Sequence, residues 1–584
     1  MENRKKVYVA GDCLISSLGF TTDENMQAIV AGKSGIRTVD DCALYGAPFQ
    51  AARICRERWQ GKADAKSLAG YTPLEQLFIL SIGQVVRHTG IDLHLPDCGL
   101  VLATTKGNIE NIDSPAAYLW EMARHVAGYF HYPGTAVVIS NACISGVSAL
   151  LVASRWIESG KYRHVIVAGG DVLSRFVVTG FQSFKSVSGL PCRPYDLQRD
   201  GLTLGEACGS IALTADPERV KDRPLVTVDG GGITNDANHI SGPSRTGDGL
   251  CQAIRGALEE AGIGPEQVGF VNAHGTATLY NDETEANAIQ WSGLAGTPLN
   301  SLKAYWGHTL GAAGIIESIA CFDQLRKGIV YGTKGYGTCG VSLPLPLTEE
   351  HRFQDMQCCV KTASGFGGCN AAVVFSLNRD KQAFVPAKEG GLKTIRHCRV
   401  ASGKVEVDGN VKVVGEEAFD GFIRSAFKAL QQPNMKFYKM DDLSKLGYVA
   451  AEWLLKGMDA DGESTGIILA NAASSLDTDR KHQDIIDRLG DGGASPAVFV
   501  YTLPNVVLGE ICIRHGIRGE NTFFIHEKKA LDFLHDYAEM LLHRNRLDTV
   551  IWGWCELENG IYEADLYVGR KIEAGTEKER ADRT

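Results

Sequence analysis

Ala136-Val137-Val138-Ile139-Ser140-Asn141-Ala142-Cys143-Ile144-Ser145-Gly146 is the stretch on which the fold turns. The aliphatic run Ala136 to Ser140 predicts a short buried strand, and the helical spacing from Cys143 to Ser159 predicts a helix directly after it. Small residues around the cysteine leave room for a substrate to approach. A thiol at a helix N-terminus sits among free N–H groups at the positive end of the dipole, so the expectation is a lowered thiol pKa and a usable nucleophile near neutral pH. A buried structural cysteine is the competing reading of the same residue.

The same alternation extends on both sides. Strands are expected at Lys6 to Ala10, Gly99 to Ala103 and His164 to Gly169, with helices at Thr22 to Gly32 and Pro73 to Thr89. A second series begins with a strand at Leu225 to Val228 and a helix at Gly249 to Ala261. It continues with a strand at Gly269 to Ala273, helices near Glu283 to Gln290 and Ala312 to Gly328, and two β-rich runs, Gln357 to Ala363 and Ala371 to Leu377. Strand and helix in turn make an α/β chain.

Composition sets the bounds. With 584 residues the chain is long enough for two to four domains at roughly 100–200 residues each. Hydrophobic residues are 44 % and charged ones 22 %, the proportions of an ordinary globular protein and not of a disordered or coiled-coil one. Lys plus Arg number 59 against 69 Asp plus Glu, so the net charge of -10 gives no basic surface for nucleic acid or an anionic membrane. No export signal and no spanning helix are expected, because the longest apolar stretch, Ala136 to Ile157, is broken by polar residues. The 16 scattered cysteines without a Cys-x-x-Cys pair suit a reducing cytoplasm. Gly230-Gly231-Gly232 and Gly365-Phe366-Gly367-Gly368 are expected to be loops that turn tightly or approach a ligand.

After Asn378 the pattern changes. Residues 379–394 are expected to be a linker, and 395–575 a further α/β module with helices at Gly415 to Leu430, Leu443 to Gly457 and Lys529 to Arg544 and strands at Gly466 to Ala470 and Thr549 to Trp554. Gly466-Ile-Ile-Leu-Ala-Asn471 echoes Gly99-Leu-Val-Leu-Ala-Thr104, and the helix before Asp548-Thr-Val-Ile-Trp-Gly553 echoes the helix before His164-Val-Ile-Val-Ala-Gly169. The module reads as a diverged copy of the first part, with 576–584 as a charged tail.

Two histidines complete the chemistry-bearing set: Asn272-Ala-His274-Gly-Thr276, and Lys303-Ala-Tyr-Trp-Gly-His308 before the small-residue run Gly311 to Gly314. Metal ligation by Cys143, His274 and His308 is set aside, since no ligand pair has short zinc-type spacing and no carboxylate motif completes a site. These motifs, with Asn141-Ala-Cys143-Ile-Ser-Gly146, Arg193-Pro-Tyr-Asp196, Arg199-Asp-Gly201, Gly205-Glu206 and Gly365-Phe-Gly-Gly-Cys-Asn370, run in the order found in the elongating β-ketoacyl-acyl-carrier-protein synthases. Over residues 4–377 the chain resembles that family.

The resemblance implies a thiolase-like fold, two stacked βαβαβαββ halves (1–220 and 221–378), with the third module like a degenerate N-terminal half. It implies a homodimer, pseudo-dimer or heterodimer with another ketosynthase-like chain. Cys143 would carry the acyl chain and His274 and His308 would hold the malonyl thioester oxygen. Lys303 would set the electrostatics, with Glu317 supporting the network. Phe366 would gate the pocket, and the N–H groups of Cys143 and Phe366 would form the oxyanion hole. Acyl carrier protein is the implied partner and its phosphopantetheine arm the substrate carrier, with no permanently bound cofactor.

Three residues depart from the family pattern: Cys369 where Thr is usual, Ser364 for an aromatic, and Ile144 after the nucleophile. Cys369 leaves a thiolase-type reading open. If Gly519 to Lys528 corresponds to Gly134 to Cys143, Lys528 stands where the copy would carry its nucleophile, and His526 and Glu527 are structural or solvated. Leu503-Pro-Asn505 also resembles a family segment. The rival to an enzyme is a non-catalytic partner similar to a chain-length factor.

Overall fold

The computed structural model describes residues 5–60, 68–221, 223–377, 391–458, 461–544 and 546–572. The first part contributes strands β1 (Tyr8–Ser16), β2 (Cys98–Ala103), β3 (Val137–Ile139), β4 (His164–Asp171) and β5 (Ala207–Thr214), with helices α1 (Thr22–Val30), α2 (Pro73–Thr89) and α3 (Ser145–Glu158). The second contributes β6 (Val226–Asn235), β7 (Phe270–Asn272), β8 (Leu299–Asn300), β9 (Cys358–Gly365) and β10 (Cys369–Leu377), with α4 (Asp248–Ala261), α5 (Leu279–Trp291) and α6 (Ala313–Lys327). The third contributes β11 (Leu392–Ala401), β12 (Lys404–Val407), β13 (Asn410–Val414), β14 (Thr465–Asn471), β15 (Asn521–Ile525), β16 (Thr549–Glu558) and β17 (Ile561–Lys571). Its helices include α7 (Phe419–Lys428), α8 (Asp442–Leu455), α9 (Leu476–Leu489), α10 (Val506–His515) and α11 (Leu531–Leu542).

The first sheet runs β1-β5-β4-β2-β3, with β4, β2 and β3 parallel. The second runs β6-β10-β9-β7-β8. Helices α3 and α6 lie between them, which is the stacked arrangement of the thiolase-like fold. Their contact is backbone to backbone: a Cβ on Gly146 would stand 2.8 Å from Ile315 N, and one on Gly314 2.4 Å from Val147 N. The small residues around Cys143 and at Gly311 to Gly314 therefore serve a helix crossing.

The third module repeats the first sheet strand for strand, as β11-β17-β16-β14-β15. Tyr8 pairs with Thr214 and Ser16 with Ala207, as Lys393 pairs with Arg570 and Ala401 with Glu563. A bulge falls at the same step of both ladders, between Val9 and Gly11 and between Thr394 and Arg396. Asp171 at the end of β4 accepts the N–H groups of Thr105 and Lys106, and Glu556 in β16 accepts those of Ala472 and Ala473. The copy expected from short sequence echoes is thus a copy in register and in side-chain role.

The two sheets join into one. β15 pairs antiparallel with β3, Phe524 opposite Ile139 and Ile525 opposite Val138. Under the correspondence of Gly519 with Gly134, Phe524 faces its own counterpart, as a twofold axis through the pair requires. The chain builds the pseudo-dimer within itself. A common core includes Ile139, Val147, Ile315, Phe524 and Tyr537. Arg155, 3 % exposed, binds Glu520 and the Tyr537 hydroxyl across the boundary, and Arg544 binds Glu158 and Glu260.

The copy has been resurfaced. In the first part Gly209 lies under Ile315, Ile316 and Ile319 of α6. No counterpart of α6 exists among the described residues of the third module, and there the pair Leu14/Gly209 is replaced by Arg399/Asp565 and Ile211/Val167 by Tyr567/Trp552. Asp565 binds His397 at 2.5 Å and Lys529, while Arg399 binds Glu563 at 2.9 Å. A face that would have needed a helical cover is partly polar instead, and Trp552, itself buried, stacks on Tyr567.

Several expectations change. β1 passes through Asp12 to Ser16, because Asp12 is held by Arg223 at 2.8 Å and Arg326 at 3.3 Å. Gly230 to Gly232 are strand and not loop: a Cβ there would strike Ala257 O, Leu151 Cδ2 or Ala253 O at 2.5 Å or less. Leu392 to Thr394, read as the end of the linker, are paired in β11. The linker before residue 391 and the tail at 576–584 lie outside the described residues.

Two outcomes are expected. Arg155→Met leaves Glu520 buried without its cation and lowers stability by about 3–5 kcal/mol, measured by denaturant unfolding. Glu556 is pushed up to about 7 from 4.5, first by burial and also by Glu558. The folded state then binds the extra proton, so this stabilising contribution is complete below pH ~4.5 and lost as pH rises through ~7. Raising the pH from 5 to 8 should lower the melting temperature of the native chain more than that of Glu556→Gln.

Candidate active site

The turn carrying Cys143 is stapled by Ser145, whose hydroxyl accepts from Asn141 N at 2.8 Å and donates to Ala142 O at 2.5 Å. Ala142 is thereby held at φ +47, a left-handed conformation costly for a residue with a Cβ. This aims Cys143, which stays partly exposed, at the junction of the halves. Helix α3 begins at Ser145, so Cys143 precedes its first turn. The expected thiolate is corrected. Burial pushes the thiol up to about 12, and nearby Asp171 and Glu317 add to this while Lys303 opposes it. Desolvation outweighs the helix end.

His308 Nε2 lies 3.1 Å from Cys143 Sγ. Its backbone is clamped, N donating to Thr203 O at 2.6 Å and O accepting from Gly205 N at 3.0 Å. The His274 ring lies 5.2 Å from that of His308 at an interplanar angle of 87°. Lys303 Nζ is 3.4 Å from His274 Nδ1 and 2.7 Å from Glu317 Oε1. Burial first, then the charge of Lys303 and of Lys361, pushes both imidazoles well below their ordinary pKa, with His308 adding to the effect on His274. Both rings are neutral at pH 7, and Cys143 and His308 form a thiol–imidazole pair.

Cys143, His274, His308, Lys303 and Glu317 thus converge. Phe366 belongs to the adjoining loop: a Cβ on Gly365 would stand 3.1 Å from Cys143 N. The Phe366 ring packs against Phe184 at 5.3 Å and Phe181 at 6.2 Å, and those two rings pack on Phe499 of the third module. Cys369 is buried, its thiol is raised well above the ordinary value by burial, and Sγ donates to Phe366 O at 3.3 Å. That geometry suits a loop brace and not a base.

Two further residues join the site that sequence reasoning does not reach. Lys361, fully buried in β9, places Nζ 2.8 Å from Glu317 Oε2, so one carboxylate stands between two lysines. Its signal in the sequence is a lone cation inside an apolar strand. Glu285 on α5 accepts from His274 N, Gly275 N, Thr362 Oγ1 and the Tyr195 hydroxyl at 2.6–2.8 Å. Asp282, one turn earlier, accepts from Tyr195 N at 2.7 Å. The motif around Tyr195 therefore braces the His274 loop. In the third module Lys528 is exposed and Glu527 is exposed, whereas His526 is buried. Among the described residues no group of three or more His, Cys, Asp or Glu could hold a metal ion, and no single helix is long and apolar enough to cross a membrane.

The profile of the β-ketoacyl synthase N-terminal domain matches residues 4–218 and that of its C-terminal domain residues 225–336. The chain belongs to the β-ketoacyl synthase family. It is 27 % identical over 414 residues to 3-oxoacyl-[acyl-carrier-protein] synthase 2 of Vibrio cholerae, covering 64 % of this chain and 99 % of that one. It is 28 % identical to the chloroplastic 3-oxoacyl-[acyl-carrier-protein] synthase I of Hordeum vulgare, covering 64 % of this chain and 89 % of that one. Among solved structures, the ketosynthase ApeO in complex with its chain length factor ApeC from Xenorhabdus doucetiae matches with a TM-score of 0.57 and 26 % identity, over 64 % of this chain and 98 % of that one. The PfaC keto synthase-chain length factor matches in fold over 97 % of this chain and 78 % of its own, with a TM-score of 0.77 and 15 % identity. That likeness takes in the third module.

The site predicts the effect of its second lysine. Lys361→Met removes a cation from both imidazoles, so His274 and His308 should take up protons at higher pH than in the native chain, followed by NMR of histidine Cε1 signals. Unchanged titration would show that Lys361 only packs.

Proposed function

We propose that this β-ketoacyl synthase catalyses decarboxylative Claisen condensation of an acyl group with malonyl-acyl carrier protein, giving 3-oxoacyl-acyl carrier protein in fatty-acid or polyketide synthesis. The observation that carries this reading is the 3.1 Å contact of Cys143 with a neutral His308, beside a second neutral histidine and two buried lysines. A neutral pair costs less to bury than a thiolate–imidazolium pair, and it ionises only as the carbonyl is attacked.

In the first half-reaction Cys143 Sγ attacks the acyl thioester on the phosphopantetheine arm. The thiol proton passes to His308 and then to the departing phosphopantetheine sulfur. The N–H groups of Cys143 and Phe366 receive the developing oxyanion. In the second, His274 donates Nε2–H to the malonyl thioester oxygen, and His308, once its ring proton has exchanged through solvent from Nδ1 to Nε2, donates there as well. Carbon dioxide leaves, its bonding pair forms the enolate, and the enolate carbon attacks the acyl carbonyl and expels Cys143 as a thiolate that takes a proton from solvent. Lys303 and Lys361, on either side of Glu317, place two cations beside the histidines, where they favour the malonyl carboxylate and the enolate. No permanent cofactor is required.

Residues 1–220 and 221–378 form the working halves in this reading, and 395–575 take the role of a chain-length-factor-like partner. Lys528 in the counterpart of the nucleophile position fits that division, as does the likeness in fold to the PfaC keto synthase-chain length factor. The 16 scattered cysteines, with no Cys-x-x-Cys pair, suit a cytoplasmic setting.

Intact mass after incubation with medium-chain acyl-carrier protein tests the reading. The native chain should gain the acyl mass and Cys143→Ala should not, and malonyl-carrier protein should then discharge the adduct with release of carbon dioxide. His274→Ala should accept the acyl group and discharge it about a hundredfold more slowly or worse. Absence of any adduct across acyl lengths would leave the chain a non-catalytic partner.

A further inference from the structure

Asn505 stands at the N-cap of α10, where Asn normally accepts an N–H from the first turn, yet its side chain makes no such bond. It is 1 % exposed and crosses to the other part of the molecule instead, donating Nδ2 to Phe366 O at 2.8 Å and approaching Cys369 Sγ at 3.7 Å. Its Oδ1 has no hydrogen-bond partner among the described residues. A helix end has given up its cap for a contact with the glycine loop.

Besides Asp236 N on Gly368 O at 2.8 Å and the Cys369 thiol on Phe366 O at 3.3 Å, three bonds hold that loop: Gly367 N donates to Ile240 O at 2.7 Å, Asn235 Nδ2 donates to Gly367 O at 2.9 Å, and Asn505 Nδ2 donates to the carbonyl of Phe366. The first two come from the second half and the last from the third module. Gly367 is left-handed at φ +89, and a Cβ on it would lie 2.6 Å from Asn505 Nδ2. A Cβ on Gly509, one turn into α10, would lie 2.6 Å from Gly367 O. Loop and helix are in backbone contact, and glycine on both sides is what permits it.

We propose that Asn505 is a positioning residue, a latch by which the third module fixes the Phe366 carbonyl and so the loop that adjoins Cys143. This rests on the proposed condensing reaction for its functional meaning. The latch fixes the plane of the Phe366–Gly367 peptide and with it the ψ angle of Phe366, which limits the turning of the preceding Gly365–Phe366 peptide, whose N–H faces the acyl oxygen during transfer to Cys143. The third module would then act on the reaction through one amide, although it lends no group to the reacting atoms.

The test uses the full chain with Asn505→Leu, which keeps the volume and removes the donor, and Asn505→Ala as a smaller change. Hydrogen exchange of the segment 364–370, with α3 as the internal reference, should speed at least tenfold in both variants while α3 stays unchanged. Acyl transfer from carrier protein to Cys143 should slow about tenfold, with iodoacetamide alkylation of the same thiol within twofold of native. Unchanged loop exchange would overturn the latch, and so would equal loosening of loop and α3, which marks general destabilisation. A loosened loop in a chain that never takes up an acyl group would uphold the latch and sink the condensing reading.

Discussion

The edge of β3 is the constraint on which the rest depends. A strand that ends a sheet leaves a row of N–H and C=O groups to be paired, and here Val138, Ile139 and Ser140 are paired by Phe523 to Ile525 of the same chain. Because each strand meets its counterpart, the third module had to keep the register of the first sheet even as its surface drifted. The retained bulge and the Asp171/Glu556 correspondence are the traces of that requirement. Covalent linkage supplies the paired strand at high effective concentration, so the junction does not depend on the amount of protein present.

Two kinds of polar burial follow. At the boundary, Arg155 pairs with Glu520 and Lys106 with Asp479 at 2.8 Å, while Arg544 bridges Glu158 and Glu260. At the site Lys303 and Lys361 share Glu317, with Glu285 under the His274 loop.

The third module also shows how half a domain survives alone. The face that α6 covers in the first part carries Arg399, Asp565 and Tyr567 in the copy, so no apolar sheet is left bare. The side facing the first two parts is closely packed, with Phe499 against Phe181 and Asn505 at the glycine loop.

Much of this was legible in the residues. Strand and helix alternate with the right periods, α2 falls on Pro73 to Thr89 as its pattern predicts, and Cys143, His274, Lys303 and His308 each lie in a distinctive local pattern, whereas Glu317 is named only through the family resemblance. Other features depend on contacts between segments far apart in sequence. The ionisation of Cys143 is set by how dry the packed site is and not by the helix after it. Gly230 to Gly232 are strand because α4 and Leu151 press on them, and Lys361 gains its meaning only when β9 brings it to Glu317. The sequence alone determined the elements and the chemistry-bearing side chains, since these follow from local period and residue type. Tertiary structure decided charge states, the pairing of β3 and the reach of Asn505, since these follow from burial and from which surfaces meet.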